Sequence, residues 1–308
     1  MEPFNFSQPA DSRTVSKLTD ALCARFPILS RQSLGKSVLG KPIDCLALSR
    51  TKETPTSFFK PGVLFAAAFH AQEWLTSLIL LQLITEFCAA YENGARLAGL
   101  NPRRILCDRD LFFVPLVNPD GVDVAIHGHA AAGEREAFVR EISPLGLDKW
   151  NANLHGVDLN HNFDAGWPLL RQKEIALGLT GPAPRRFGGT APESEPETRA
   201  LADFCRQHYL RHALALHSQG EEIYWHYGPR TPSRARLMGN LLAMSSGYTL
   251  AQPEDIASHG GFKDWFISCF GRPAFTVEIG RGQNPLPLPD LQPIYARICE
   301  MLMLAAVI

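Results

Sequence analysis

The stretch that decides the fold runs from Gly62 to Trp74 and reads GVLFAAAFHAQEW. Residues 62–69 form a continuous apolar run of strand length, which is typical of a strand buried on both faces of a sheet. Residues 74–90 follow with a helical pattern of apolar positions. His70 and Glu73 therefore lie between a buried strand and a helix. In open α/β sheets, ligands bind at the carboxyl ends of such strands.

Strand-like and helix-like segments alternate along the rest of the chain, which favours a single α/β domain over residues 1–308. Asn118-Pro119-Asp120-Gly121 is a strong turn signal, and residues 178–196 are rich in glycine and proline and predict a long surface loop. The remaining predicted elements are strands at 43–48, 111–117, 212–216 and 274–279, and helices at 15–26 and 293–307.

Composition excludes several classes of function. The 308 residues include 30 basic and 31 acidic side chains, so a net charge of -1 offers no basic face for nucleic acid. The sequence has no uninterrupted apolar run of about 18 residues, so we expect no membrane span. Residues 1–18 are polar and mixed, without the apolar core of a signal peptide. The seven scattered cysteines form no C-x-x-C pair and favour reduced thiols in a cytoplasmic protein.

Four side chains at strand ends form a candidate catalytic constellation. His70 follows the first buried strand, Glu73 comes three residues later, and His217 directly follows the predicted strand that ends at residue 216. Two histidines and one carboxylate gathered at one sheet edge would make a zinc site with an open fourth position. Glu278 lies inside a predicted strand, where a carboxylate is costly to bury without a charged partner.

Taken singly, these residues have an ordinary alternative explanation. A lone H-x-x-E occurs often by chance, and a histidine after a strand is commonly a hydrogen-bonding residue of the framework. His208 and His212, four residues apart, lack the glutamate of an H-E-x-x-H site and are interpreted as surface residues.

Several ordered motifs resemble the zinc metallocarboxypeptidases, the family of the pancreatic carboxypeptidases. His70-Ala71-Gln72-Glu73-Trp74 is similar to the family's H-x-x-E-W zinc motif, and the resemblance covers roughly residues 15–305. Five further segments follow in the family's order: Asn118–Gly121, Gly156–Asn160, His217–Gly220, Gly260–Trp265 and Phe275–Glu278. Within the family, residues 219–225, 263–266 and 284–288 resemble the bacterial γ-D-glutamyl-diaminopimelate peptidases.

The resemblance implies a mixed eight-stranded twisted sheet flanked by helices and one zinc ion per chain. It implies that His70, Glu73 and His217 bind the zinc. Glu278 would then accept a proton from the zinc-activated water and return it to the leaving amine. The expected substrate is a peptide, derived from peptidoglycan, with no nucleic-acid or membrane partner.

Departures from the family pattern concern substrate binding. Where typical carboxypeptidases grip the terminal carboxylate with an arginine after the Asn of D-L-N, this chain has His161, while Asn160 is retained. The family's oxyanion arginine falls at Asn151, which can donate a hydrogen bond but carries no charge. A bidentate arginine clamp binds more strongly than histidine, so the replacement at His161 argues against ordinary C-terminal trimming.

Three further positions differ. Gln72 replaces an arginine seen in many relatives, and Ile256 stands where digestive members carry a substrate-capping tyrosine. Lys263 falls near the base of the family's side-chain pocket, where it would suit a substrate with a remote carboxylate such as diaminopimelate. The alternative is a surface lysine at a helix start.

Three functions remain open from the sequence. The first is a cytoplasmic zinc peptidase that cleaves the γ-D-glutamyl-diaminopimelate bond of peptidoglycan stem peptides. The second is a metallocarboxypeptidase with unusual C-terminal specificity, and the third is a zinc-binding relative whose catalysis has decayed. A serine hydrolase is not indicated, since no G-x-S-x-G motif is present.

Overall fold

The computed structural model describes residues 6–49, 60–251 and 259–308, and it has a mixed eight-stranded sheet at its centre. The strands are β1 (Leu29–Lys36), β2 (Pro42–Leu48), β3 (Gly62–Ala67), β4 (Asp110–Val114), β5 (Leu210–Ser218), β6 (Glu222–Tyr224), β7 (Thr249–Ala251) and β8 (Ala274–Ile279). The α-helices of the described residues are α1 (Ser12–Arg25), α2 (Leu75–Asn93), α3 (Pro102–Asp108), α4 (Pro119–His127), α5 (Glu136–Ile142), α6 (Trp167–Ala176), α7 (Pro196–Gln207), α8 (Arg234–Ser246), α9 (Phe262–Phe270) and α10 (Leu291–Ala305).

The strand order is β1-β2-β4-β3-β5-β8-β6-β7. The four central strands, β4, β3, β5 and β8, run parallel, and antiparallel pairs flank them on both sides. Every residue of β3 is buried, as expected for a strand covered on both faces. The predicted α/β class and the mixed eight-stranded sheet are confirmed.

Helices cover both faces of the sheet. One apolar cluster joins one face to α1, α2, α8 and α10. A second cluster joins the other face to α7 and α9. The parallel strands therefore end between two helical layers, and the candidate residues lie at these strand ends and in the loops that follow them.

The segment Ala71–Asn93, which contains α2, has the length and hydropathy of a membrane span. Of its most apolar window, 78% is buried inside the fold. Side chains on all sides of α2 contact the core, which explains why its apolar residues are not confined to one stripe. We therefore interpret α2 as a core helix.

The Asn118–Gly121 segment does not form the predicted turn, because it begins helix α4. Asn118 is the N-cap residue, and its Oδ1 accepts a hydrogen bond from Gly121 N at 3.0 Å. Its Nδ2 donates to Phe69 O and Ala152 O, each at 3.2 Å. A Cβ on Gly121 would lie 2.4 Å from Ala152 O, so glycine is required at this close approach. The segment thereby ties the end of β3 to residues 151–152.

Two predictions about histidines on the same strand are wrong. His217 lies inside β5 rather than after it, because the strand extends to Ser218. His212 is not a surface residue; it is fully buried in β5, with Nε2 donating to Ala305 O at 2.7 Å. The loop predicted at residues 178–196 is confirmed, since it contains neither helix nor strand before α7 begins. The assignment of residues 1–308 to one domain stays a prediction.

Candidate active site

His70 and Glu73 are positioned by a sharp change of direction after β3. Ala68 has a φ of +52°, and its N–H donates to Thr76 Oγ1 at 3.0 Å. A single 3₁₀ turn, Ala71–Glu73, then precedes α2, with His70 at its N-cap. Spacing of three residues on such a turn brings both side chains to the same side of the chain.

The two histidines converge on the carboxylate of Glu73. His70 Nδ1 lies 2.9 Å from Glu73 Oε1, and His217 Nδ1 lies 2.9 Å from Glu73 Oε2. Ligand atoms of these three residues all lie within 4.8 Å of one another. The structure therefore brings together the residues that the sequence predicted as ligands, although they come from β5 and from the end of β3.

This donor set fits zinc. Imidazole nitrogen and carboxylate oxygen are common zinc ligands, and three protein ligands leave one position for water or substrate. His70 Nε2 lies 3.0 Å from Asp158 Oδ1, so this carboxylate fixes the ring and leaves Nδ1 directed at Glu73. A carboxylate that binds the far nitrogen of a ligating histidine is the usual outer partner of a zinc site.

The charges at the site match this interpretation. Burial alone would raise the pKa of Glu73, but His70 and His217 outweigh it and lower that pKa to about 2. Burial likewise opposes charge on His70, and the carboxylates of Glu73 and Asp158 outweigh it and raise its pKa well above the usual value. Without metal, a proton on His70 is therefore favoured, and metal binding at this side chain must release it.

Glu278 lies beside the ligand cluster. In the parallel pairing of β5 and β8 it is the register partner of His217, and on its other side it faces Glu222 of β6. Burial and the neighbouring carboxylates of Glu73 and Glu222 raise its pKa well above the usual value. A raised pKa suits a group that takes a proton from water and then gives it up.

Two residues at the site, Asp158 and Asn284, are not among the candidates predicted from the sequence. Asn284 Nδ2 donates to Ser218 O at 2.7 Å, and its Oδ1 accepts from Ser218 Oγ at 2.8 Å. The same Nδ2 lies 3.5 Å from Glu73 Oε1. Asn284 therefore connects the strand end that carries His217 to Glu73. Asp158 stands inside the G-V-D-L-N motif and Asn284 begins the run 284–288, but neither pattern by itself indicates a role beside the metal-binding residues.

Asn151 lies against the metal-binding turn. Its backbone carbonyl accepts from Ala71 N at 3.2 Å, and its side-chain Oδ1 is buried without a hydrogen-bond partner in the described structure. Gln72 is buried and its Nε2 donates to Leu147 O at 3.0 Å, so it fixes the framework. The role of Asn151 as a substrate donor stays a prediction.

His161 and Asn160 lie one 3₁₀ turn beyond Asp158. His161 Nδ1 lies 3.0 Å from Arg186 O and 3.5 Å from Glu174 Oε1. Burial lowers the pKa of His161, but the carboxylates of Asp158 and Glu174 raise it above the usual value overall. Asn160 Oδ1 accepts from Phe262 N at 2.9 Å, so this oxygen is used to hold the start of α9.

Lys263 is not a surface lysine. It is 4% exposed in the first turn of α9, and its Nζ donates to His226 O at 2.9 Å. It forms an ion pair with Asp264 and lies 5.8 Å from the ring centre of Tyr227. Its binding of a substrate carboxylate stays a prediction, and Ile256 lies outside the described residues.

Fold and site together define a zinc peptidase, and comparisons with known proteins agree. The family model described as zinc carboxypeptidase matches residues 15–299. The chain belongs to this family, whose members use one zinc ion and act on peptides.

Three known proteins show the range of similarity. The chain is 35% identical over 272 residues to gamma-D-glutamyl-L-diamino acid endopeptidase 1 of Lysinibacillus sphaericus, covering 88% of this chain and 65% of that protein. It is 34% identical over 292 residues to the uncharacterised protein YqgT of Bacillus subtilis, covering 94% and 74%. The structure of bovine thrombin-activatable fibrinolysis inhibitor superposes with a TM-score of 0.72 at 21% identity, covering 98% of this chain and 97% of that one, which shows the fold.

Proposed function

We propose that this peptidase hydrolyses the γ-D-glutamyl-diaminopimelate bond of peptidoglycan stem peptides. The observation that carries the proposal is the 35% identity to an enzyme named for the γ-D-glutamyl-diamino acid bond. One replacement points the same way, because His161 stands where ordinary carboxypeptidases grip a terminal carboxylate with arginine.

Zinc, when bound by His70, Glu73 and His217, supplies a Lewis acid that lowers the pKa of a bound water to about 7. Glu278 accepts the proton of the attacking water and passes it to the nitrogen of the leaving diamino acid. Asn151 donates a hydrogen bond to the developing oxyanion, and a neutral amide stabilises that charge less than an arginine would. Asp158 keeps His70 oriented throughout.

Lys263 is proposed to select the leaving residue. Its position near the base of the family's side-chain pocket would suit a leaving residue with a carboxylate on its far carbon, which diaminopimelate has and lysine lacks. The substrate carboxylate would then share the buried ammonium with Asp264. We expect K263M to lose about tenfold of the preference for diaminopimelate over lysine stem peptides, the scale of one charge-assisted hydrogen bond. Melting curves with and without zinc check that the variant folds. An unchanged preference would remove Lys263 from the proposal.

Soluble stem peptides in the cytoplasm are the proposed source of substrate. The support is the seven scattered cysteines, which are free thiols in the structure, as is usual in a reducing compartment. Cell fractionation with an antibody against the chain tests it, with the protein expected in the cytoplasmic fraction. Recovery from the cell wall or the medium would contradict it.

A carboxypeptidase with unusual C-terminal specificity is the second candidate, favoured by the retention of Asn160 next to His161. Peptides that differ only in a free or amidated C-terminus, each in a short and an extended stem, separate the two. Cleavage of extended stems at the γ-D-glutamyl bond favours the first function. Release of single C-terminal residues from unrelated peptides favours the second.

A further inference from the structure

Two arginines, Arg185 and Arg186, lie in the loop that joins the two positions where the family's arginines are replaced. Asn151 N and Ala152 N both donate to Pro184 O, at 2.8 and 3.0 Å. At the other end of the same short stretch, Arg186 O lies 3.0 Å from His161 Nδ1. The loop 184–186 therefore contacts both replaced positions directly.

The same loop is fixed to the metal-binding framework. Arg186 N donates to Asp158 Oδ2 at 2.9 Å, while Asp158 Oδ1 contacts His70 at 3.0 Å. Asp158 N in turn donates to Phe187 O at 2.8 Å. One carboxylate thus separates the backbone of Arg186 from a ligand histidine, so the long side chain of Arg186 begins at the border of the metal site.

The backbone of Arg186 is held in an unusual conformation. Its φ is +67°, a region that non-glycine residues seldom occupy and that persists only where surrounding contacts impose it. Here the bonds to Asp158 and His161 on either side of the residue impose it. The start of the Arg186 side chain is therefore held in one place relative to His70.

Neither guanidinium is used within the fold. Both arginines are exposed, and within residues 6–49, 60–251 and 259–308 neither side chain has a hydrogen bond, an ion pair or an aromatic contact. Neighbouring arginines differ: Arg171 pairs with Glu174 and covers the ring of Phe187, and Arg206 pairs with Glu193 and Asp203. Two unpaired cations next to each other repel and favour an anionic partner.

We propose that Arg186, assisted by Arg185, binds the free carboxylate of the leaving residue of the peptide substrate, in place of the missing clamp at His161. This inference rests on the proposed function, because it assumes a leaving diamino acid with a carboxylate near its scissile nitrogen. A guanidinium offers paired N–H donors that match a carboxylate, which neither Asn151 nor His161 does.

The test uses the tripeptide L-Ala-γ-D-Glu-diaminopimelate with its α-carboxylate on the leaving residue either free or converted to a carboxamide. R186A and R185A are compared with the wild type, and R236A, an exposed arginine of α8, is the control. Each protein is assayed for kcat/KM. Metal-free protein is titrated with the same two peptides by calorimetry, which reads binding without turnover.

We expect R186A to lower kcat/KM for the free acid by at least tenfold, with much less effect on the carboxamide. R186K should restore part of the difference, R185A should lose less than R186A, and R236A should match the wild type. Calorimetry should show the same order, and the loss should shrink at high salt.

Equal losses on acid and carboxamide, or no loss in kcat/KM and in binding, would overturn the inference while leaving the proposed function intact. If the wild type cleaves neither peptide and binds neither more tightly than R186A does, both fall. If it cleaves neither but binds the acid through Arg186, only the proposed reaction fails.

Discussion

Two buried carboxylates of this protein have pKa values that are shifted in opposite directions, and the difference comes from the side chains around them. Glu73 is 3% exposed and contacts two imidazoles, which lower its pKa to about 2. Glu197, in the first turn of α7, is 0% exposed, and no lysine, arginine or histidine of the described residues forms an ion pair with it. Burial and the nearby Glu195 raise its pKa to about 7.

Hydrogen bonds do not explain the contrast, because Glu197 has them too. Its Oε1 accepts from Val38 N at 3.2 Å and its Oε2 from Asn153 Nδ2 at 3.0 Å. Asn153 Nδ2 also donates to Glu195 Oε2 at 2.7 Å, so one amide serves two acids. Burial alone therefore does not keep a carboxylate of this protein ionised. The two imidazoles beside Glu73 do so, and they indicate that Glu73 is the functional carboxylate.

The largest expected effect is the loss of metal on changing Glu73. E73Q keeps the volume but removes the charge between His70 and His217, so zinc should no longer be retained and hydrolysis should fall below detection. Zinc content by atomic emission and peptide hydrolysis measure this. E197Q is the matched control and should keep one zinc per chain. Zinc bound fully by E73Q would remove Glu73 from the ligand set.

The second largest effect is expected for E278Q, which should lose hydrolysis while it keeps its zinc. E278Q retains His70, Glu73 and His217 and should keep zinc, but it lacks the group that transfers the proton. Hydrolysis should fall by about 10²- to 10⁴-fold, as for loss of a general acid–base. Zinc content and kcat are measured on the same preparation. A variant with zinc and near-normal kcat would show that another group moves the proton.

The raised pKa of Glu197 should make the free energy of unfolding depend on pH. The folded-state pKa of Glu197, about 7, lies above the unfolded value of 4.5. Its stabilising contribution is thus complete below pH 4.5 and is lost as pH rises through 7, by up to about 3 kcal/mol. E197Q should therefore gain stability over the wild type at pH 8 and not at pH 4.5.

Urea unfolding at several pH values measures the difference between E197Q and the wild type. Parallel stability curves for the two proteins would contradict the raised pKa of Glu197. The activity of E197Q at pH 7.5 should match that of the wild type, since Glu197 contacts none of the metal-binding residues.

The smallest expected effect concerns Asn284, which supports the metal-binding residues indirectly. N284A should weaken zinc binding by about 10- to 100-fold, the range for partners behind the ligands. S218A removes only one of the two side-chain links and should lose less. Competition with a coloured chelator gives both affinities. Equal zinc affinity in N284A and the wild type would show that Asn284 only connects its own segment to Ser218 and does not support the metal-binding residues.

Sequence patterns indicate the central strands because burial on both faces leaves long apolar runs. The strand predicted at 274–279 has these bounds in the structure, whereas the run 62–69 continues two residues beyond β3, which ends at Ala67. His70 and Glu73 still follow this strand, as predicted. The same patterns placed His217 after its strand, because a histidine ends the apolar run although the backbone ladder continues to Ser218. The N-P-D-G segment was read as a turn, since an N-cap asparagine followed by proline has the same composition as a turn.

Contacts between residues far apart in the chain could not be predicted from the sequence, because they depend on how the chain folds back on itself. Asn284 reaches Ser218 and Glu73 across 66 and 211 residues, so no local spacing encodes the pair. The raised pKa of Glu197 comes first from burial, which distant segments of the chain create, and its hydrogen-bond partners Asn153 and Val38 also come from such segments. Lys263 differs from these residues, because its partner Asp264 is the next residue in the sequence. The sequence does not show that the pair is buried, and burial is what makes Lys263 part of the interior.

Zinc bound by His70, Glu73 and His217 is expected to serve the cleavage of a stem peptide. Mass spectrometry of L-Ala-γ-D-Glu-diaminopimelate incubated with the protein tests it most directly. We predict L-Ala-D-Glu and free diaminopimelate as products, none after chelation, and recovery on adding one equivalent of zinc. An intact tripeptide with zinc fully bound, or cleavage that persists without metal, would contradict the account.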